Sequence, residues 1–107
     1  MTAARTTIPP DLRSTVARLR ERSGAEAIYL FGSRARGDHR EASDWDLALI
    51  VPDDTPRERV LRAGYRDLVR GTGIEVHPIR RHVFERRKAW PGTLSRSIAE
   101  EGIALGE

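Results

Sequence analysis

The chain has 107 residues, of which 38% are hydrophobic and 33% charged, a composition typical of a soluble domain with a heavily charged surface. Its 19 basic and 16 acidic residues give a net charge of +3, too small an excess to indicate nucleic-acid binding by itself. The sequence contains no cysteine, which excludes disulfides, zinc–thiolate sites and cysteine nucleophiles. No apolar run has the length of a signal peptide or a membrane span, so we expect a cytoplasmic protein with no membrane contact.

The length favours one domain, with residues 1–8 as a flexible lead and residues 9–107 as the folded part. Pro9 and Pro10 suit the first turn of a helix, and Gly24 is predicted to end this helix in a left-handed cap. Its apolar residues recur at helical spacing: Leu12, Val16 and Leu19.

Two short hydrophobic strands are predicted over residues 27–31 and 45–51. Between them, Gly32 and Ser33 form a tight turn that enters a single helical turn, and Gly37 stops it. The sequence therefore places a glycine turn at the end of one strand and a polar loop before the next.

A longer helix is predicted to start at Thr55 and Pro56, with a capping box, and to end at Gly71 or Gly73. Its apolar stripe would consist of Leu61, Tyr65 and Leu68. A third strand is predicted over residues 74–79, where apolar and polar side chains alternate.

The rest of the chain predicts a short helix over residues 80–88 with Phe84 inward, then a last helix from Thr93 to Gly102. The last helix is expected to bury Leu94 and Ile98. Strands that alternate with helices predict an α/β or α+β single domain.

Asp44 and Asp46 lie at the start of the second predicted strand, two residues apart. Alternate residues of a strand share a face, which would place these carboxylates about 7 Å apart at Cα. Two like charges held so close favour a cation between them, and Mg²⁺ prefers carboxylates together with phosphate oxygens and water. The alternative is that Asp44 caps a turn and Asp46 begins a strand in solvent.

The Gly32-Ser33 turn has the residues that a phosphate needs. Glycine lets the backbone approach phosphate oxygens, Ser33 adds a hydroxyl donor, and Arg34 and Arg36 can neutralise phosphate charge. A plain turn is the alternative for this motif alone. The turn and the aspartate pair, at two strand ends, together predict one triphosphate–metal site.

Glu75 is the best candidate for a third carboxylate, which would activate an incoming hydroxyl. It lies on the polar face of the third predicted strand, where His77 could contact substrate. The alternative is that Glu75 is only an exposed strand residue.

The segments FGSRARG (residues 31–37) and SDWDL (residues 43–47) resemble the signature of the minimal nucleotidyltransferases. These small proteins, which include MNT-type antitoxins, belong to the DNA polymerase β-like nucleotidyltransferase superfamily. The resemblance implies a nucleotidyltransferase fold, in which helices flank a small mixed β-sheet. It also implies that a nucleoside monophosphate, such as AMP from ATP, is transferred to an acceptor hydroxyl.

The resemblance also implies roles by position. Gly32 and Ser33 would hold the β- and γ-phosphates, and Asp44 and Asp46 would bind Mg²⁺, with two ions expected. Glu75 would stand at the third carboxylate position, also as a metal ligand, where the family usually has aspartate.

Many members of this family act as antitoxin beside a helical partner of the HEPN type, and some adenylylate a tyrosine of that partner. We therefore expect the acceptor on another chain. Two further hypotheses stay open: a non-catalytic antitoxin with the same fold, and a transferase acting on small molecules or nucleic acid. Nucleic acid is the least favoured, because the basic segment over residues 80–88 has few aromatic stacking surfaces. A homodimer is also left open.

Overall fold

The structure, a computed structural model, describes residues 8–63, 66–69 and 72–105. Its elements in chain order are α1 Pro10–Ser23, β1 Ala27–Phe31, α2 Ser33–Arg36, β2 Trp45–Val51, α3 Arg57–Ala63, β3 Arg66–Val69, β4 Thr72–Arg80, α4 Arg81–Arg87, α5 Leu94–Glu101 and β5 Ile103–Leu105. Within the predicted lead, residues 1–7 lie outside the described ranges, and Ile8 packs against the core.

The strands form one five-stranded sheet in the order β3-β4-β2-β1-β5. β2 and β4 run parallel, whereas the three other neighbouring pairs are antiparallel. The crossover between the parallel strands carries α3 and β3. The sheet is therefore mixed, and the predicted α+β fold with flanking helices is confirmed.

Each face of the sheet has its own hydrophobic cluster, because alternate residues of a strand point to opposite faces. Leu47 and Leu49 of β2 pack with the apolar residues of α1 on one face. Ala48 and Ile50 lie on the other face, with Phe84 of α4 and Ile98 of α5. Asp46 has the same parity as Ala48 and Ile50, which puts it on the face that α4 and α5 cover.

The first half of the chain follows its predicted elements closely. Helix α1 ends where expected, since Gly24 has φ 71° and donates its N–H to the Arg20 carbonyl oxygen at 2.9 Å. Leu12, Val16 and Leu19 are all buried. β1 and β2 have the predicted bounds, and the single turn α2 ends at Gly37.

The long helix predicted after Thr55 is wrong in its second half. α3 ends at Ala63, and Arg66–Val69 forms a strand that pairs antiparallel with β4. A glycine at position 64 costs a helix about 1 kcal/mol, and the edge of β4 offers hydrogen bonds to a strand instead. Leu61 is 64% exposed, so it does not face the core as predicted. Four residues of the predicted helix lie outside the described ranges: Gly64, Tyr65, Arg70 and Gly71.

The two C-terminal helices agree with the prediction in position and differ in one buried residue. Thr93 caps α5, since its hydroxyl oxygen accepts the Arg96 N–H at 3.1 Å. Ile98 is buried as expected, but Leu94 is 41% exposed and the adjacent Ser95 takes the buried position. β5 then pairs with β1, which fixes the end of α5 beside the end of β1. Along the described ranges, no helix is both long and apolar enough to cross a membrane.

Candidate active site

The turn after β1 has a backbone shape that depends on glycine. Gly32 has φ 78° and ψ −160°, a combination that is available almost only to glycine. Its carbonyl oxygen accepts the N–H groups of Ala35 and Arg36, both at 3.0 Å, which closes the single helical turn. Gly37, with φ 89°, ends that turn by donating its N–H to the Ser33 carbonyl oxygen at 2.9 Å.

Gly32 lies directly against Asp46. Phe31, the last residue of β1, pairs with Asp46 of β2. Gly32 directly follows Phe31 and therefore lies beside the aspartate side chain. A Cβ atom added to Gly32 would lie 2.5 Å from Asp46 Oδ2. The glycine turn and this aspartate, which the sequence identified separately, are thus in contact.

Asp46 is one of three side chains on this face that could together hold a metal ion. Glu75 is its register partner on the parallel strand β4, and His77 lies two residues further along. One ligand atom from each of Asp46, Glu75 and His77 lies within 4.8 Å of the others, and all three side chains are half-buried. Donors at this spacing can reach a single divalent cation after small side-chain rotations, so the residues fit such an ion.

His77 is held in place from two sides. Its Nε2 lies 3.1 Å from Glu75 Oε1, and its ring meets the Phe31 ring edge-on with centroids 5.4 Å apart. An imidazole nitrogen beside two carboxylates suits Mn²⁺ as well as Mg²⁺, since nitrogen ligands favour transition metals. The sequence placed His77 on this face but did not predict it as a metal ligand.

Asp44 directly precedes β2 and is half-buried. Among the described residues, the three-donor cluster does not include it. Its assignment as a metal ligand therefore stays a prediction.

Arg34 is buried, with its guanidinium turned toward the loop before β2. It lies over the Trp45 ring, 4.4 Å from the centroid, and donates to the carbonyl oxygens of Glu41 at 2.8 Å and Ser43 at 3.0 Å. These contacts fix the loop that delivers Asp44. The predicted contact of Arg34 with phosphate stays a prediction.

Arg36 is exposed beside the turn and binds two carboxylates. Its Nε lies 3.1 Å from Asp38 Oδ2, and its Nη1 lies 3.1 Å from Glu101 Oε1. The hydrogen bond to Asp38, followed by the one to Glu101, raises the pKa of Arg36 above its ordinary value. Glu101 Oε1 also accepts the Gly32 N–H at 3.0 Å. Sequence reasoning missed Glu101, since 69 positions separate it from Gly32.

A glycine turn suited to phosphate lies in contact with a carboxylate–imidazole cluster that could hold a divalent cation, and nucleotidyl transfer needs both kinds of group. A family model described as nucleotidyltransferase domain matches residues 12–105, so the chain belongs to that family. The predicted superfamily and the predicted transferase activity are thereby confirmed, and the small size is consistent with the minimal nucleotidyltransferases. No curated protein and no solved structure matches the chain.

Proposed function

We propose that this chain transfers AMP from ATP, with Mg²⁺ or Mn²⁺, to a hydroxyl on a helical partner protein of the HEPN type, as the antitoxin of that partner. The family supports nucleoside monophosphate transfer in general. The contact between Gly32 and Asp46 carries the proposal, because it joins a phosphate-binding turn to a metal-binding carboxylate. The acceptor and the antitoxin role rest on the resemblance of residues 31–37 and 43–47 alone.

In this proposal different residues of the site bind the β- and γ-phosphates and the metal ions. Ser33 donates its hydroxyl to the β- and γ-phosphate oxygens, and Arg36 offsets their charge. Asp44, Asp46 and Glu75 are the carboxylates that would hold two metal ions. When bound, those ions supply Lewis-acid stabilisation of the charge that develops on the phosphate oxygens.

Glu75 has a second role, as the base for the acceptor. Its carboxylate takes the proton of the attacking hydroxyl, whose oxygen forms a bond to the α-phosphorus while the bond to pyrophosphate breaks in line. His77 Nε2 lies 3.1 Å from Glu75 Oε1, so the imidazole would orient that carboxylate when no ion occupies the cluster. The resembled family usually has aspartate at this position, and the glutamate side chain is one methylene group longer.

Transfer of label from α-³²P-ATP tests the proposal. The assay contains the chain, Mg²⁺ and the protein encoded by the adjacent reading frame. Asp46→Asn is expected to lower transfer by about 100-fold or more, since it removes a carboxylate that would hold the ion that stabilises the transition state. Asp54→Asn is the matched control, because Asp54 is exposed in the turn after the far end of β2.

The outcomes separate the hypotheses. Label on the partner that disappears only with Asp46→Asn supports the enzyme. Full neutralisation of the partner by Asp46→Asn, with no label transferred by any variant, would make the chain a non-catalytic antitoxin. Label on RNA or a small molecule in place of the partner would contradict the proposed acceptor.

A further inference from the structure

Glu101 is the last residue of α5, and two elements fix its position. Ile98 of α5 is buried against the sheet, and β5 pairs with β1 so that Ile103 lies opposite Leu30. The side chain of Glu101 is 22% exposed. The carboxylate is therefore held beside the phosphate-binding turn by the packing of the whole C-terminal segment.

The carboxylate binds the groups that a phosphate would use. Its Oε1 accepts the Gly32 N–H at 3.0 Å, and both of its oxygens lie within 3.2 Å of Arg36 Nη1. A backbone N–H next to a glycine turn and a guanidinium are also the donors that phosphate oxygens accept. Glu101 thus satisfies them in the protein without nucleotide.

We propose that Glu101 is an internal competitor for the triphosphate, and that its carboxylate must leave Gly32 and Arg36 before the phosphates bind there. The inference rests on the proposed function, since it concerns the same turn. The Arg36 guanidinium is shared by two carboxylates, Asp38 and Glu101, so these three side chains together carry a net negative charge. An incoming triphosphate meets that charge until Glu101 moves away.

The consequence for binding is a lower affinity than the turn could give. A ligand that binds only one of two states loses affinity in proportion to the fraction of that state. Because Glu101 is attached to α5 and β5, its release also links occupancy of the nucleotide site to the C-terminal segment. A partner that contacts this segment would then sense whether nucleotide is bound.

A purely structural role of Glu101 predicts the opposite effect on nucleotide binding. If Glu101 stayed in place and positioned the turn for phosphate, removal of its charge would loosen the turn and weaken nucleotide binding. The two roles therefore predict opposite signs for the same substitution.

Isothermal titration of ATP with Mg²⁺ measures that sign in Glu101→Gln. The matched control is Glu100→Gln, because Glu100 is paired with Arg96 on its own helix at 3.1 Å and is exposed. We expect Glu101→Gln to tighten ATP about tenfold, as the loss of a charged hydrogen-bond acceptor from the competing state implies. The affinity of Glu101→Gln for inorganic tripolyphosphate should rise by a similar factor, and its affinity for AMP should change less than about twofold. The affinities of Glu100→Gln should match those of the wild type.

A second readout keeps the test independent of folding. The ¹⁵N–¹H resonance of Gly32 should move in nucleotide-free Glu101→Gln, and in the wild type it should move on addition of ATP. Glu101→Asp, which retains the charge but loses reach, should also tighten ATP. Wild-type binding of ATP with equal or weaker binding by both variants would overturn the inference and leave the proposed function standing. Absence of ATP and tripolyphosphate binding in every variant would overturn both.

Discussion

Replacement of Gly32 by alanine changes the contact between the turn and Asp46. The backbone at Gly32, with φ 78° and ψ −160°, costs a residue other than glycine about 1–3 kcal/mol. The new Cβ would lie 2.5 Å from Asp46 Oδ2, whereas an ordinary contact is about 3.5 Å. The carboxylate must therefore shift by about 1 Å, and a displacement of that size at a reacting centre costs on the order of 100-fold in rate.

Two assays separate these effects. Urea unfolding of Gly32→Ala should show a loss of about 1–3 kcal/mol, and transfer from α-³²P-ATP should fall by about 100-fold. Gly24→Ala is the control, since Gly24 has φ 71° with no atom within 4 Å of an added Cβ. It should lose about 1–2 kcal/mol of stability, with the transfer rate unchanged.

A Gly32→Ala protein that is destabilised like Gly24→Ala but transfers AMP at the wild-type rate would contradict a role of this contact in the reaction. In that case Gly32 would serve only the shape of the backbone, and its contact with Asp46 would have no part in the reaction.

Three further predictions concern groups around the site and the far end of the sheet. Arg34→Lys should lower the free energy of unfolding by about 2 kcal/mol, because lysine cannot keep both the stacking on Trp45 and the two loop carbonyl bonds; an unchanged urea midpoint would contradict this. His77→Gln should weaken Mn²⁺ more than Mg²⁺ in metal titrations, because only the imidazole favours a transition metal, and equal weakening would argue against a nitrogen ligand. Hydrogen bonds from the His82 backbone N–H and then its imidazole lower the pKa of Asp53. These bonds should therefore stabilise the fold at a pH above the pKa of the carboxyl in the unfolded chain. That stabilisation should be lost as the pH falls through the pKa of Asp53 in the folded protein. Asp53→Asn should remove that part of the pH dependence of urea unfolding, and an unchanged profile would contradict the linkage.

The sequence predicted the parts of the fold where local signals agree. Gly24 and Gly37 end helical turns at positions that demand positive φ, and both ends are correct. β1 and β2 are short apolar runs bounded by polar or small residues, and their bounds are also correct. In these segments the pattern of burial and the backbone preferences point to the same structure.

The prediction failed where two signals compete, the helical spacing of apolar residues and the pairing of two short strands. Leu61 and the residues of β3 have helical spacing, but β4 provides an edge to which a strand can pair. The paired residues are close in the chain, from Val69 with Thr72 to Arg66 with Glu75. The helical spacing of the apolar residues outweighed this local strand pairing in the prediction, which therefore extended α3 too far.

The site contains one contact between residues that are far apart in the chain. Gly32, Ser33 and Asp46 were predicted from motifs, in a glycine turn and at the start of a strand. Glu75 was predicted from the polar face of its strand. Glu101 reaches Gly32 only through the packing of α5 and the pairing of β5 with β1, and neither is visible in the spacing of residues.

Coupling between metal and ATP tests most directly whether the glycine turn and the carboxylate–imidazole cluster form one site. The measurement is the Kd of ATP with and without Mn²⁺, in the wild type and in Asp46→Asn. A shared site predicts that Mn²⁺ tightens ATP at least about tenfold in the wild type, with the reciprocal effect of ATP on Mn²⁺, and that Asp46→Asn abolishes the coupling. ATP binding that is the same with and without Mn²⁺, in both proteins, would contradict the account.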